Sequence, residues 1–228
     1  MTIRAVKKVL ITGAQGALGS QVAKRFLQEN CQIVATYSPE SELIKEELES
    51  SIQWVKVDLT SSDQVRSAFH GQEFDAWIHC AGGFRFRKVD ETTDEDLDFL
   101  INLNLRSAFY LAREILGGMK KQNFGRIVFI SSKATLHPTA GMGAYAASKA
   151  GLNMLTACLA EETKSYDITV NSVLPSIIDT PANRKDMSQA KYADWVTPKE
   201  LSEIIYSLMT PFGKPFHGAL LPVSGRLV

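Results

Sequence analysis

The sequence predicts an α/β fold, one doubly wound domain whose seven-stranded parallel sheet carries helices on both faces. Two observations predict it. Seven short, β-branched and nearly continuous apolar runs recur along the 228 residues, and helix-length segments with apolar residues on one face separate them. Strands that are apolar at every position are strands buried on both sides, which is the situation of a parallel sheet between helical layers. Near-strict alternation of the two patterns implies right-handed crossovers rather than hairpins.

The strand runs, in order, are "KKVLIT", "CQIVATY", "IQWVKVD", "FDAWIHCAG", "GRIVFISS", "DITVNSVLP" and "GALLPVS". The intervening helices are expected at Ala17 to Gln28, with Leu18, Val22 and Phe26 on one face, then at Glu40 to Ser50 and Ser62 to Phe69. Three more are expected at Asp94 to Met119, Ala144 to Glu162 and Thr197 to Met209. Ser176 to Pro198 is too polar and too interrupted for a core element. It follows a strand at its carboxyl end, where doubly wound folds bind ligands, so a lid or substrate loop is expected there. No repeat, low-complexity tract or linker divides the chain, and residues 1–228 are expected to form one domain.

Charge and cysteine content narrow the function classes. Twenty-five Lys and Arg balance twenty-five Asp and Glu, so no overall field would recruit nucleic acid or an anionic membrane. Cys31, Cys80 and Cys158 are far apart and form no Cys-x-x-Cys pair, which points to a reducing cytosol and not to a disulfide framework or a metal site. The start "MTIRAVKKVLITG" lacks the apolar region and cleavage site of a signal peptide, and no run reaches membrane-spanning length. His79 and His137 have no second ligand at useful spacing and are expected to be structural. "FRFRKVDE" interleaves cations with aromatics as single-stranded nucleic-acid binders do, but a solvated loop beside the cleft explains it better.

The first crossover carries a chemical signal, "VLITGAQGALGS". Gly13, Gly16 and Gly19 sit between an apolar strand and an amphipathic helix, where glycine permits a tight turn and lets a pyrophosphate approach the helix-start amides. Gly19-Ser20 supplies no lysine, which disfavours a phosphate-cradling NTPase loop. A methyltransferase is disfavoured because the second strand ends in "ATYSPE" without an acid at the ribose position. In the dinucleotide-binding (Rossmann) scheme a carboxylate there grips the ribose hydroxyls, and a 2′-phosphate requires it gone. Tyr37 and Ser38 occupy the place, so NADP(H) is expected over NAD(H). Asp58, closing the third strand in "VKVDLT", suits the adenine amino group or, alternatively, a cap for the helix near Ser62.

"AYAASKAGL" places Tyr145 and Lys149 one helical turn apart on a common face. A free tyrosine has a pKa near 10 and exchanges protons poorly at neutral pH unless a cation favours its phenolate, a position Lys149 can fill. An isolated Tyr-x-x-x-Lys would more often be a half-buried ring and a solvated charge. Here Ser132 stands thirteen residues upstream at a strand end.

Together these motifs resemble the short-chain dehydrogenase/reductase family over nearly the whole chain. "TGAQGALG" is similar to its cofactor turn, "VDLT" to its adenine-side aspartate, "CAGG" to its fourth-strand turn, "NLNLRSAF" to its mid-helix asparagine and "YAASK" to its catalytic helix. "NSVLPSIIDTP" is similar to the segment that holds the nicotinamide amide through Pro175 and Thr180. The resemblance implies an oxidoreductase in which Tyr145 is the general acid. Lys149 lowers its pKa and binds the nicotinamide ribose, Ser132 hydrogen-bonds the developing oxyanion, and Asn104 holds a water linking Lys149 to solvent. It implies cofactor contacts at Gly13, Gln15, Gly16, Ala17, Leu18, Tyr37, Ser38, Asp58, Leu59, Ala81, Gly82, Tyr145, Lys149, Pro175, Ile178 and Thr180. No metal is implied. The long helices are expected to pair across a two-fold axis, giving a homodimer or homotetramer.

Departures from the family pattern bear on the substrate. "HCAGG" has His79 and Cys80 where two asparagines are usual, Pro175-Ser176 replaces Pro-Gly, and Gly16-Ala17 displaces the middle glycine of the turn. "LPSIIDTPANRKDM" followed by "DW" is most similar to dihydropteridine reductase, although Tyr37 and Ser132 depart from that enzyme. The expected substrate is therefore a small carbonyl or a pterin-like (quinonoid dihydropterin) compound. A 3-oxoacyl thioester or ketone is the alternative among enzymes, and a catalytically silent nucleotide sensor is the alternative outside them. Phe84, Phe86 and Trp195 are candidates to stack on a flat ring or, alternatively, to anchor loops.

Overall fold

The seven expected strands form one parallel sheet, in a computed structural model that describes residues 4–42 and 51–227. They are β1 (Lys8–Thr12), β2 (Gln32–Tyr37), β3 (Ile52–Lys56), β4 (Ala76–His79), β5 (Gly125–Ile130), β6 (Ile168–Pro175) and β7 (Leu220–Val223). The spatial order is β3-β2-β1-β4-β5-β6-β7. Strand order reverses between β1 and β4, and that switch point opens the crevice in which a doubly wound sheet receives ligands. Continuous burial holds for β4, β5 and β6 but fails for β3 and β7, which are the two edges and alternate between covered and exposed positions.

Side chains of successive strand residues point to opposite faces, so each run feeds two cores. Leu10, Val34, Trp77, Ile127, Phe129 and Val170 face the layer of α2 (Ser62–Phe69), α4 (Ser107–Lys121) and α5 (Gly143–Thr163). Val9, Ile11, Ile33, Ala35, Ile78 and Val128 face α1 (Ala17–Leu27) and α7 (Pro198–Met209). Trp77 is fully buried at the centre of the first core, its ring 5.0 Å from Phe129 and nearly perpendicular to it. Across the second layer Arg25 of α1 lies 3.8 Å from the Tyr206 ring of α7 and pairs with Glu203 and Glu29.

Two expectations are revised, and a third falls mostly outside the described residues. The single helix expected from Asp94 to Met119 is α3 (Asp94–Ile101) and α4 joined by a π-helical turn, Asn102–Arg106. Asn104 lies in that turn with its side chain bound to Gly83, a tertiary contact that stabilises the wider turn. The segment from Ser176 to Pro198 is not wholly irregular. It holds α6 (Pro181–Asp186), a 3₁₀ turn at Tyr192–Asp194, a parallel bridge between Ile178 and Val196, and a buried Trp195 and Val196. The helix expected at Glu40 to Ser50 falls on 43–50, outside the described residues. Among the described residues no helix is long and apolar enough to cross a membrane.

Candidate functional site

The cofactor turn joins β1 to α1 through Gly13, whose φ of +64° is a backbone region that side chains disfavour. A Cβ there would also come within 2.8 Å of the Ala81 amide nitrogen, so glycine lets the turn nest against the end of β4. Gly19 packs so closely that a Cβ would overlap the Gly13 carbonyl oxygen. Gly16 is the N-cap of α1, and among the described residues no side chain caps it and no acid occupies the first turn. Amides left without an internal partner at a helix start attract anions through hydrogen bonding and the helix dipole together, so the turn suits the pyrophosphate of a dinucleotide. Ala17 and Leu18 open the same turn of helix, and Gln15 reaches the Glu42 carbonyl at 3.3 Å.

On the adenine side Tyr37 lies edge-on to Trp54 with centroids 6.3 Å apart, and Ser38 Oγ accepts the Glu40 amide. Asp58 does not cap α2, because Ser61 does. Its Oδ1 instead accepts the Thr60 amide at 2.8 Å and the Thr60 hydroxyl at 2.7 Å, while the buried Leu59 anchors the loop.

The other half of the crevice is built from the end of β5, the π turn and the first turns of α5. Lys149 is 5% exposed and its Nζ donates to the Ile130 carbonyl at 2.8 Å. Burial pushes its pKa down to about 8. Burial raises the pKa of the half-buried Tyr145, and the nearby Ser132 hydroxyl works in the opposite direction. In the protein alone burial is the larger influence on the tyrosine and Ser132 the counterweight. Ser132 Oγ accepts the Ala134 amide at 3.1 Å, a bond that does not use its own proton.

Asn104 is fully buried and clamps Gly83 from both sides. Its Oδ1 accepts the Gly83 amide at 2.8 Å, and its Nδ2 donates to the Gly83 carbonyl at 3.0 Å and to Ser148 Oγ at 2.9 Å. Ser148 in turn donates to the Tyr145 carbonyl. Gly82 separates Asn104 from Lys149, since a Cβ there would come within 2.9 Å of Asn104 Oδ1 and 3.0 Å of Lys149 Nζ. The structure therefore brings Asn104, Ser132, Tyr145, Lys149, Ala81 and Gly82 to one end of the sheet. Pro175 closes β6 in the same end layer, Ile178 bridges to Val196, and Thr180 caps α6 by accepting the Asn183 amide.

Of the aromatics, Phe84 alone meets the candidate acid. Its ring is 4.9 Å from that of Tyr145 at 81°. Phe86 rests on Gly141, and Trp195 is buried beside Tyr192, so both anchor loops. His79 is structural, as expected, but in an unforeseen way. Its Nδ1 accepts from Thr12 Oγ1 at 2.9 Å and its Nε2 lies 3.2 Å from Ser107, whose hydroxyl goes to Leu103 O in the π turn. Burial pushes its pKa down to about 3, so it is a neutral strut. The Cys80 thiol is pushed up to about 12 by burial and is no nucleophile. Sequence reasoning missed Thr135 and Asn153, which tie Ser132 to α5. Asn153 stands one turn beyond Lys149, a spacing visible in the sequence without its partner.

Comparison with known proteins identifies the family. The family model described as short chain dehydrogenase matches residues 7–191. Acetoacetyl-CoA reductase of Allochromatium vinosum is 28% identical, over 96% of this chain and 97% of its own length. A 3-oxoacyl-[acyl-carrier-protein] reductase of Thermotoga maritima is 29% identical, over 97% and 98%. A solved structure described as a short chain dehydrogenase/reductase family protein superposes with a TM-score of 0.89 at 23% identity, over 98% of this chain and 99% of that one, and shows the same fold. The chain belongs to the short-chain dehydrogenase family and is an oxidoreductase.

Proposed function

We propose that this family member is an NAD(P)H-dependent reductase of a small carbonyl compound, with Tyr145 as general acid. The observation that carries the reading is the placement of three side chains at one end of the sheet, Ser132 closing β5 with Tyr145 and the buried Lys149 one turn apart on α5. Two O–H groups brought to the same end of the sheet suit an oxygen that acquires negative charge. The bound cofactor supplies the hydride to the carbonyl carbon. Tyr145 delivers its proton to the carbonyl oxygen while Ser132 donates a hydrogen bond to it, and the Lys149 ammonium favours the phenolate left behind. Asn104, held on Gly83, would position a water that returns a proton through Lys149. A silent nucleotide sensor has no need of this set.

The cofactor preference proposed is NADPH, supported by neutral Tyr37 and Ser38 at the end of β2. Relatives named as oxoacyl-thioester reductases favour a ketone as substrate. The quinonoid dihydropterin reading keeps one observation, the Phe84 ring against Tyr145, which could flank a flat ligand. We place the substrate between Phe84 and the loop 176–198. Three free cysteines support a reducing compartment, the cytosol. Exposed Phe109 and Met154 on α4 and α5 support a homodimer or homotetramer through those helices. Turnover of ketones, 3-oxoacyl thioesters, quinones and quinonoid dihydropterin with each cofactor tests the reading. Ketone or thioester reduction with NADPH is expected. Turnover confined to dihydropterin, or equal use of NADH, would overturn the ketone and NADPH readings respectively.

A further inference from the structure

We infer that Thr135 and Asn153 are positioning residues, a two-link strut that holds Ser132 in register with Tyr145. The inference rests on the roles proposed above for Ser132 and Tyr145, and on a hydrogen-bond chain whose direction is fixed at every step. Ser132 closes β5 and caps the 3₁₀ turn Lys133–Thr135. Its carbonyl accepts both the Thr135 amide, at 3.1 Å, and the Thr135 hydroxyl, at 2.8 Å. Having given its only proton to Ser132, Thr135 Oγ1 can act only as an acceptor toward α5. Asn153 Nδ2 is the donor, at 2.9 Å. A flipped amide would set two acceptors against each other, so the orientation of Asn153 follows from that of Thr135.

Asn153 is 8% exposed and follows Lys149 by one helical turn and Tyr145 by two, so a single rigid helix carries the acid, its cation and the strut. Ser131 adds a parallel tie from its hydroxyl to the Lys149 carbonyl at 3.3 Å. The position of the Ser132 hydroxyl is thereby referred to α5, the element that bears the phenol. Without the strut, the turn after β5 would keep its backbone bonds and the Ser131 tie but lose the Thr135 to Asn153 attachment to that helix.

The test reads the phenol of Tyr145 directly and needs no substrate. Protein labelled with 13Cζ-tyrosine is titrated by NMR, with the Tyr145 resonance assigned through Tyr145→Phe. The Ser132 hydroxyl works against the rise that burial gives that pKa, so Ser132→Ala should raise it further. Thr135→Val, which keeps shape and removes the hydroxyl, raises it in the same direction by roughly 0.5 to 1 pH unit. Thr135→Ser restores the wild-type titration, and Asn153→Ala reproduces the Thr135→Val shift should valine not be tolerated. In a Ser132→Ala background neither change adds a further shift, whereas a merely structural contribution would lower stability without this dependence on Ser132. A Tyr145 titration unmoved by Thr135→Val and Asn153→Ala, while Ser132→Ala moves it, overturns the strut alone. A titration unmoved even by Ser132→Ala overturns the proposed Ser132 and Tyr145 pairing, and the strut with it.

Discussion

The two halves of the crevice are built on opposite terms. At the start of α1 the amides lack a side-chain cap among the described residues. At the β5 and α5 corner Lys149, Ser132, Asn104 and Ser148 each have a protein partner. Backbone donors without partners are what a polyanionic ligand can use, so the first half suits binding. The second half is fixed before any substrate arrives, as preorganised chemistry requires. The start of α7 shows that the first arrangement is not forced on this chain. There Thr197 and Glu200 complete a capping box and Pro198, which has no N–H, occupies the first turn, so fewer of its amides are open to a ligand.

The contrast can be broken from the binding side first. Gly19→Ala forces a Cβ onto the Gly13 carbonyl, so the turn must open. Cofactor affinity measured by fluorescence titration should fall by about tenfold or more, while the Tyr145 and Lys149 corner stays folded by near-ultraviolet circular dichroism.

A second change separates chemistry from stability. The pKa of Lys149 in the folded state, about 8, lies below its ordinary value of 10.5 because burial opposes its charge. The folded protein therefore binds fewer protons than the unfolded chain between those two pH values, and stability rises as pH climbs through that window. Below pH 8 the charged lysine carries its full desolvation penalty. Lys149→Met should accordingly raise Tm at pH 7 by roughly 5 °C and abolish turnover. In the wild type, carbonyl reduction should fall as pH rises through about 8, because the ammonium is lost while the raised pKa of Tyr145 keeps the phenol protonated. A limb that stays put in a Lys149→Arg variant would assign it to another group.

The smallest effect serves as the control. Thr197→Ala removes the cap of α7 and should cost about 1 kcal/mol in chemical denaturation, with cofactor affinity unchanged, because those amides face no ligand.

Much of this contrast was legible in the sequence. Alternating apolar runs are set by local periodicity, and they place the seven strands to within three residues at each end. Gly13, Tyr145 and Lys149 are legible because each needs a particular residue type at a particular spacing. The π turn around Asn104 was not, because it depends on the distant Gly83 and the local pattern is simply helical. The edge character of β7 depends on which strands flank it, and its sequence looks as apolar as the others. The attachment of Thr135 to Asn153 spans 18 residues between a turn and a helix face, and no local periodicity reports such a contact.

The central claim is that the fixed half moves a proton and the open half binds, and Tyr145→Phe tests it most directly. The variant removes one hydroxyl from the fixed half and nothing from the α1 turn. Measured side by side in one preparation, turnover should fall by about 10³-fold, with cofactor affinity within about twofold of wild type. Retention of full turnover, or a parallel collapse of cofactor binding, would contradict it.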